Sequence, residues 1–165
     1  MSRCVASNIA ALRPDVQAAL AAALFLQMDF AQFHPGGTLG KRLLTRARDV
    51  MRTDDLPVVP AGMKLGGAVI HMSRGRLGLC VATADERVEG IITDGDVRRA
   101  MENSQDRFFS LTVADIMTRN PKTVAPDAKI TEIDALMHRH KIHSVLVCDD
   151  NRRLLGIVDS FSTMF

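Results

Sequence analysis

Hydrophobic positions along the chain follow two alternating periodicities. Leu65, Ala68, Val69 and Met72 stand at i, i+3, i+4 and i+7, one face of a helix. Apolar runs of strand length flank that stretch. Leu56 to Pro60 precedes it. Leu79 to Thr83 and Val88 to Ile92 follow it, joined by the charged turn Ala84-Asp85-Glu86-Arg87. A second helix is predicted from Asp94 to about Glu102. The same order then recurs: an extended run from Lys122 to Pro126, a helix face of Ile130, Ile133 and Met137, and strands Val145 to Cys148 and Leu154 to Val158 around the polar turn Asp149 to Arg153. Such nearly unbroken apolar strands are expected to be buried on both faces.

The recurrence is a true repeat. Asp49-Val50-Met51 returns as Asp115-Ile116-Met117, Pro60 as Pro126, and Gly90-Ile91-Ile92 as Gly156-Ile157-Val158, each 66 residues later. In the middle of the unit the offset slips to 65, as in Met72 with Met137 and Leu77 with Ile142. A β-α-β-β-α unit of about 55 residues is too small for an independent core, so the two copies are expected to pack on each other. Five residues follow Ser160, so the closing helix of the second copy is expected to be short or cut.

Before the repeat, Ala18 to Met28 is strongly apolar. It is too short to span a bilayer, and no small-residue cleavage site follows it. A helix of a soluble protein is expected there, with Pro14 and Asp15 in its first turn. Lys41, Arg42, Arg46 and Arg48 surround Leu43 and Leu44, a pattern that predicts an amphipathic linker helix; the alternative is a surface for phosphate or an acidic partner.

Composition narrows the function classes. Of the 165 residues, 47% are hydrophobic and 24% charged, with a net charge of +2. That balance gives no electrostatic case for nucleic acid, and a chain with no Trp and no Tyr lacks the means for a base-stacking platform. Cys4, Cys80 and Cys148 have no CxxC spacing. Cys80 and Cys148, which lie in apolar runs, are expected to be buried thiols in a reducing cytosol.

The paired Asp-Val/Ile-Met openings, the V-x-P strands and the closing motif Gly90-Ile91-Ile92-Thr93-Asp94-Gly95-Asp96 make the region from Arg48 onward resemble a tandem CBS-domain pair, or Bateman module. Upstream, Asp29 to Leu44 (DFAQFHPGGTLGKRLL) is similar to the end of the isomerase domain in arabinose-5-phosphate isomerases, where a CBS pair follows. The resemblance implies an α/β fold of two β-α-β-β-α repeats with a helical lead-in. It implies three regions: residues 1–47 from the isomerase end and linker, 48–106 as the first CBS domain and 107–165 as the second. It further implies a cytoplasmic regulatory module of an enzyme that interconverts D-ribulose 5-phosphate and D-arabinose 5-phosphate for Kdo, lipopolysaccharide or capsule sugars. The effector implied is an adenine nucleotide or a cytidine nucleotide-sugar, with no resident cofactor, and the assembly a homodimer. His34, in the His34-Pro35-Gly36-Gly37 motif, matches a histidine implicated in that family's active site. Only 33 residues precede it, without a Ser/Thr-rich phosphate loop or the acid–base residues of an aldose–ketose transfer. The chain alone is therefore expected to be inactive as an isomerase. A subunit lending His34 to a shared active site and a ligand-free dimerisation module are the rival functions.

Thr93, Asp94 and Asp96 are the first candidate ligand residues. By spacing, Thr93 and Asp96 form a capping box; by resemblance, they touch a nucleotide's ribose or phosphate. The equivalent positions of the second copy hold Asp159 and Ser162, and an acid there would repel phosphate, so the second site is expected to be degraded. His138, His140 and His143, with His71, suggest metal only superficially, because residues two apart on a helix diverge. They are expected to lie at a solvated helix end, with no metal bound.

Overall fold

The computed structural model of the chain describes residues 38–164. The expected Ala18–Met28 helix, Cys4 and His34 lie outside the described residues, as does most of the helical lead-in. The chain divides into two compact units, Met1–Thr45 with Phe165, and Arg46–Met164. Helix α1 (Thr38–Leu44) belongs to the first. The single linker helix expected across Lys41 to Arg48 is instead interrupted. Thr45 bonds back to the Lys41 carbonyl through its hydroxyl at 2.7 Å. Arg46 is extended, at φ −112° and ψ 165°, before α2 (Ala47–Val50) begins. The cause lies far along the chain: Arg46 bridges to Lys129, and the Ala47 N–H donates to the Ala128 carbonyl at 2.8 Å. Local periodicity holds no trace of these bonds.

The second unit carries both copies. The first runs β1 (Val58–Pro60), α3 (Leu65–Gly75), β2 (Leu79–Ala84), β3 (Arg87–Thr93) and α4 (Asp94–Ser104), followed by a 3-10 turn to Ser110. The second runs α5 (Val113–Ile116), β4 (Thr118–Arg119), β5 (Thr123–Val124), α6 (Ile130–His140), β6 (Ser144–Cys148) and β7 (Leu154–Asp159). One sheet has the order β1-β2-β3-β4 and the other β5-β6-β7. In each, the first strand is parallel to the next, which the intervening helix makes possible, and a hairpin follows. At the first hairpin Asp85 and Glu86 both take positive φ (49° and 62°), the backbone of a type I′ turn. After β7, Ser160 to Thr163 form turns, and no closing helix is present among the described residues.

Side-chain alternation on β2 sorts two cores. Cys80 and Ala82 join Leu65, Ala68, Met72 and Ile92 beneath α3. Leu79 and Val81 face the other way and meet Leu146, Cys148 and Ile157 of the second copy. The copies thus pack sheet against sheet, as expected. Strands β2 and β6 are buried almost throughout. Strand β3 departs from the expectation: Val88, Gly90 and Ile92 are buried while Ile91 and Thr93 are half-exposed. Those two residues line a cleft rather than a core.

The openings of the copies are exchanged. The Val113 N–H donates to the Met63 carbonyl at 2.9 Å and Ala114 to Ala61 at 2.8 Å, so α5 of the second copy closes the first copy's core. Reciprocally, Ala47 donates to Ala128 and Arg48 to the Pro126 carbonyl at 3.0 Å, while Arg48 pairs with Asp127 at 2.7 Å. Strand β4 extends the first copy's sheet through Gly90 and Ile91, and Arg52 bridges to Ile157 in the second.

Candidate functional site: a cleft between the two copies

The closing strand β3 delivers Thr93 and Asp94 to the edge of a cleft of about 600 Å³, within the roughly 300–1,000 Å³ range of small-molecule sites. Its apolar floor is drawn from both copies: Leu77, Leu79 and Ile91 from the first, Ile142 and Leu146 from the second. Its polar rim sets Thr93 and Asp94 against Asn120, Lys122, His140 and Lys141, with His143 beside them. Two lysines face one carboxylate, so the rim favours an anion. Gly78 shapes the entrance. It has φ +63°, and a Cβ there would stand 3.2 Å from an Asp94 carboxylate oxygen.

Thr93 begins α4 as a reciprocal cap. Its N–H and hydroxyl donate to Asp96 Oδ2 at 2.8 and 2.7 Å, and the Asp96 N–H donates back to the hydroxyl at 3.3 Å. The other Asp96 oxygen accepts from Arg99 at 2.6 Å. Both carboxylate oxygens are thereby engaged within the helix, and Asp96 does not line the cleft, unlike Thr93 and Asp94. Asp159 and Ser162 make the same pair with the roles exchanged: the Ser162 N–H and hydroxyl donate to Asp159 Oδ1 at 2.7 and 2.8 Å. Neither lines this cleft.

The sequence expectation sets His138, His140 and His143 at a solvated helix end. They are exposed and do close α6, where Lys141 takes φ 52° as its left-handed cap. The same turn also brings His140, Lys141 and His143 to the cleft rim. Lys122 escaped the sequence argument altogether. The one available signal was the repeat, since His140 to Ser144 and Gly75 to Leu79 are equivalent loops feeding the two hairpins. Among the described residues no His, Cys, Asp and Glu cluster could hold a metal ion. Cys80 and Cys148 are buried free thiols. Burial pushes the Cys80 thiol up to about 11, against the lowering effect of a backbone bond at Val81. Cys148 is raised too, again by burial. No helix of the described residues is long and apolar enough to cross a membrane.

Exchanged openings, two hairpin sheets face to face and a cleft rimmed by both copies define a two-repeat module with a ligand-sized cleft. The family of CBS domains matches residues 47–103 and 113–161, and the chain belongs to it. It is 38% identical over 135 residues to a probable arabinose 5-phosphate isomerase of Haemophilus influenzae, and 40% over 138 residues to arabinose 5-phosphate isomerase KpsF of Escherichia coli. Those matches take in 82% and 83% of this chain but only 40% and 42% of the relatives. The chain therefore spans about two fifths of the length of these curated relatives. Among solved structures, the CBS domain pair of protein MJ0100 superposes with a TM-score of 0.64 at 25% identity, covering 72% of this chain and 92% of that one. That structure is a complex with 5′-methylthioadenosine and S-adenosyl-L-methionine, both adenosine derivatives.

Proposed function

We propose that the cleft binds an adenine nucleotide, with the base on the Leu77, Ile91 and Ile142 floor, the ribose near Thr93 and Asp94, and the phosphate toward Lys122 and Lys141. Occupancy then regulates a cytoplasmic sugar-phosphate isomerase of the arabinose-5-phosphate type, in the Kdo and surface-polysaccharide pathway. The observation that carries this reading is a ligand-sized cleft with an apolar floor and a cationic rim contributed by both copies. The similarity to the isomerases supports this choice of enzyme, and the adenosine compounds in the MJ0100 pair favour adenine over cytidine.

Calorimetric titration with AMP, ATP and a cytidine nucleotide-sugar tests it. AMP or ATP is expected to bind with one site per chain, and at 100 times the dissociation constant to stabilise the fold by about 2.7 kcal/mol. Binding of the cytidine compound alone would replace the adenine assignment with end-product sensing. No heat and no thermal shift with any of the three would overturn the sensing function. A homodimer forms part of the same reading: Phe109, Phe161 and Met164 are 74%, 80% and 73% exposed, more apolar surface than a small module leaves bare without cause.

A further inference from the structure

The repeat relates Leu77 to Ile142 within the cleft, and relates its residues Thr93, Thr118, Asn120 and His140 to Asp159, Arg52, Asp54 and Gly75 elsewhere in the two copies. Thr118 pairs with Ile91 across β4 and β3, and 66 residues earlier Arg52 bridges to Ile157 in the same register. His140 ends α6 as Gly75 ends α3. In the first cleft Thr118 and His140 both stand on the rim. At the related place, the half-buried Arg52 side chain reaches across. Its Nη1 donates to the Gly75 carbonyl at 2.6 Å and its Nε to the Asp54 carbonyl at 3.0 Å. A guanidinium thus bonds from the equivalent of Thr118 to the equivalent of His140, two residues that line the first cleft without such a link.

The surroundings have changed sign as well. Asn120, Pro121 and Thr93 of the first cleft correspond to Asp54, Asp55 and Asp159, and Lys122 corresponds to Leu56. The first cleft sets two lysines against one carboxylate. The positions equivalent to it in the repeat hold Arg52 and Arg76 with three carboxylates.

We propose that Arg52 fills the place related by the repeat to the first cleft, so that the pair takes one anionic ligand instead of two. A planar guanidinium with two carbonyl acceptors is held in place, which a lysine ammonium would not be. Losing the arginine frees the space, yet the three carboxylates still repel phosphate. The opened site therefore takes an uncharged nucleoside better than a nucleotide.

This inference rests on the reading of the first cleft as a nucleotide site, and the experiment separates the two. Adenosine and AMP are titrated into the wild type, Arg52→Thr and Thr118→Arg, each checked for folding by circular dichroism. Wild type is expected to take one adenosine per chain and Arg52→Thr two, with AMP remaining at one. Thr118→Arg places an arginine at the matching point of the first cleft, and should weaken AMP binding at least tenfold. Because it removes no bond that Arg52 makes, it keeps the proposal testable if Arg52→Thr fails to fold. Unchanged stoichiometry in a folded Arg52→Thr, or wild-type AMP affinity in Thr118→Arg, would overturn the proposal. A ligand-free arm uses the Arg52 Nε–H resonance, assigned by its loss in Arg52→Lys. Slow exchange with water is expected, and exchange as fast as that of exposed Arg74 would also overturn it. If wild type binds neither compound while that resonance is protected, the nucleotide reading fails and the internal occupant stands.

Discussion

Single residues explain why the two repeated motifs belong together. A Cβ on Gly90 would lie 2.7 Å from Met117 Sδ and 2.8 Å from the Thr118 carbonyl. A Cβ on Gly156 would lie 2.8 Å from both Met51 Sδ and the Arg52 carbonyl. The glycine that starts one copy's closing motif is thus the seat for the methionine that ends the other copy's opening. A methionine can shift, but a backbone carbonyl held in a sheet cannot do so cheaply. Gly156→Ala is expected to destabilise the fold by about 1–3 kcal/mol through overpacking, measured as a lower urea midpoint. An unchanged midpoint would mean that the strand moves aside freely.

Helix starts carry the remaining acidic signatures. The aspartates of the two openings cap their own helices: the Arg46 N–H donates to Asp49 at 2.8 Å, and the Thr112 N–H and hydroxyl both donate to Asp115 at 2.7 Å. Those bonds from the Thr112 backbone, then from its side chain, hold the Asp115 carboxyl below its usual 3.8. A depressed folded-state value contributes stability above the unfolded one and loses it as pH falls. Thr112→Val should therefore flatten the decline in stability below about pH 4. An identical acid limb in the variant would show that the bond is not retained in solution. Asp96 plays the same part at α4. Asp96→Ala is expected to cost about 1 kcal/mol of stability as a lost cap while leaving AMP affinity within about twofold, well under the tenfold that 1.4 kcal/mol would give. A large loss of affinity with an unchanged melting curve would instead make Asp96 a ligand contact.

At the scale of the molecule, the cleft exists only where the copies meet. Its cations come from the second copy and its Thr93 and Asp94 from the first. Replacing Lys141 by Ala removes a charge-assisted bond to phosphate, worth about 1.5–3 kcal/mol, and should weaken AMP by roughly ten- to hundredfold. Adenosine binding should change little, and equal losses for both would place the phosphate elsewhere. For the assembly, light scattering at tens of micromolar is expected to give twice the 18.1 kDa chain mass. A monomer mass would leave Phe161 and Met164 without the partner proposed for them.

Periodicity and repetition by themselves determined the order of the longer helices and strands, though not the short elements α2, α5 and β4. The helix faces of α3 and α6, the paired hairpins and the 66-residue offset are all local or translational signals, and the strong resemblance of the two motifs rested on them. The same local signals led to one linker helix where there is a break at Arg46, and to a doubly buried β3 whose Ile91 faces a cleft. Tertiary structure alone decided which opening closes which core. The bonds from Ala47 to Ala128 and from Val113 to Met63 join residues far apart in sequence, and nothing in a repeat says whether its parts are used within a copy or exchanged between copies. It also decided the site. Lys122, His140, Lys141 and His143 are ordinary surface polar residues until folding brings them opposite Thr93. Asp96, the most conspicuous acid of the closing motif, is taken up by its own helix because a carboxylate three residues past an N-cap reaches that backbone first.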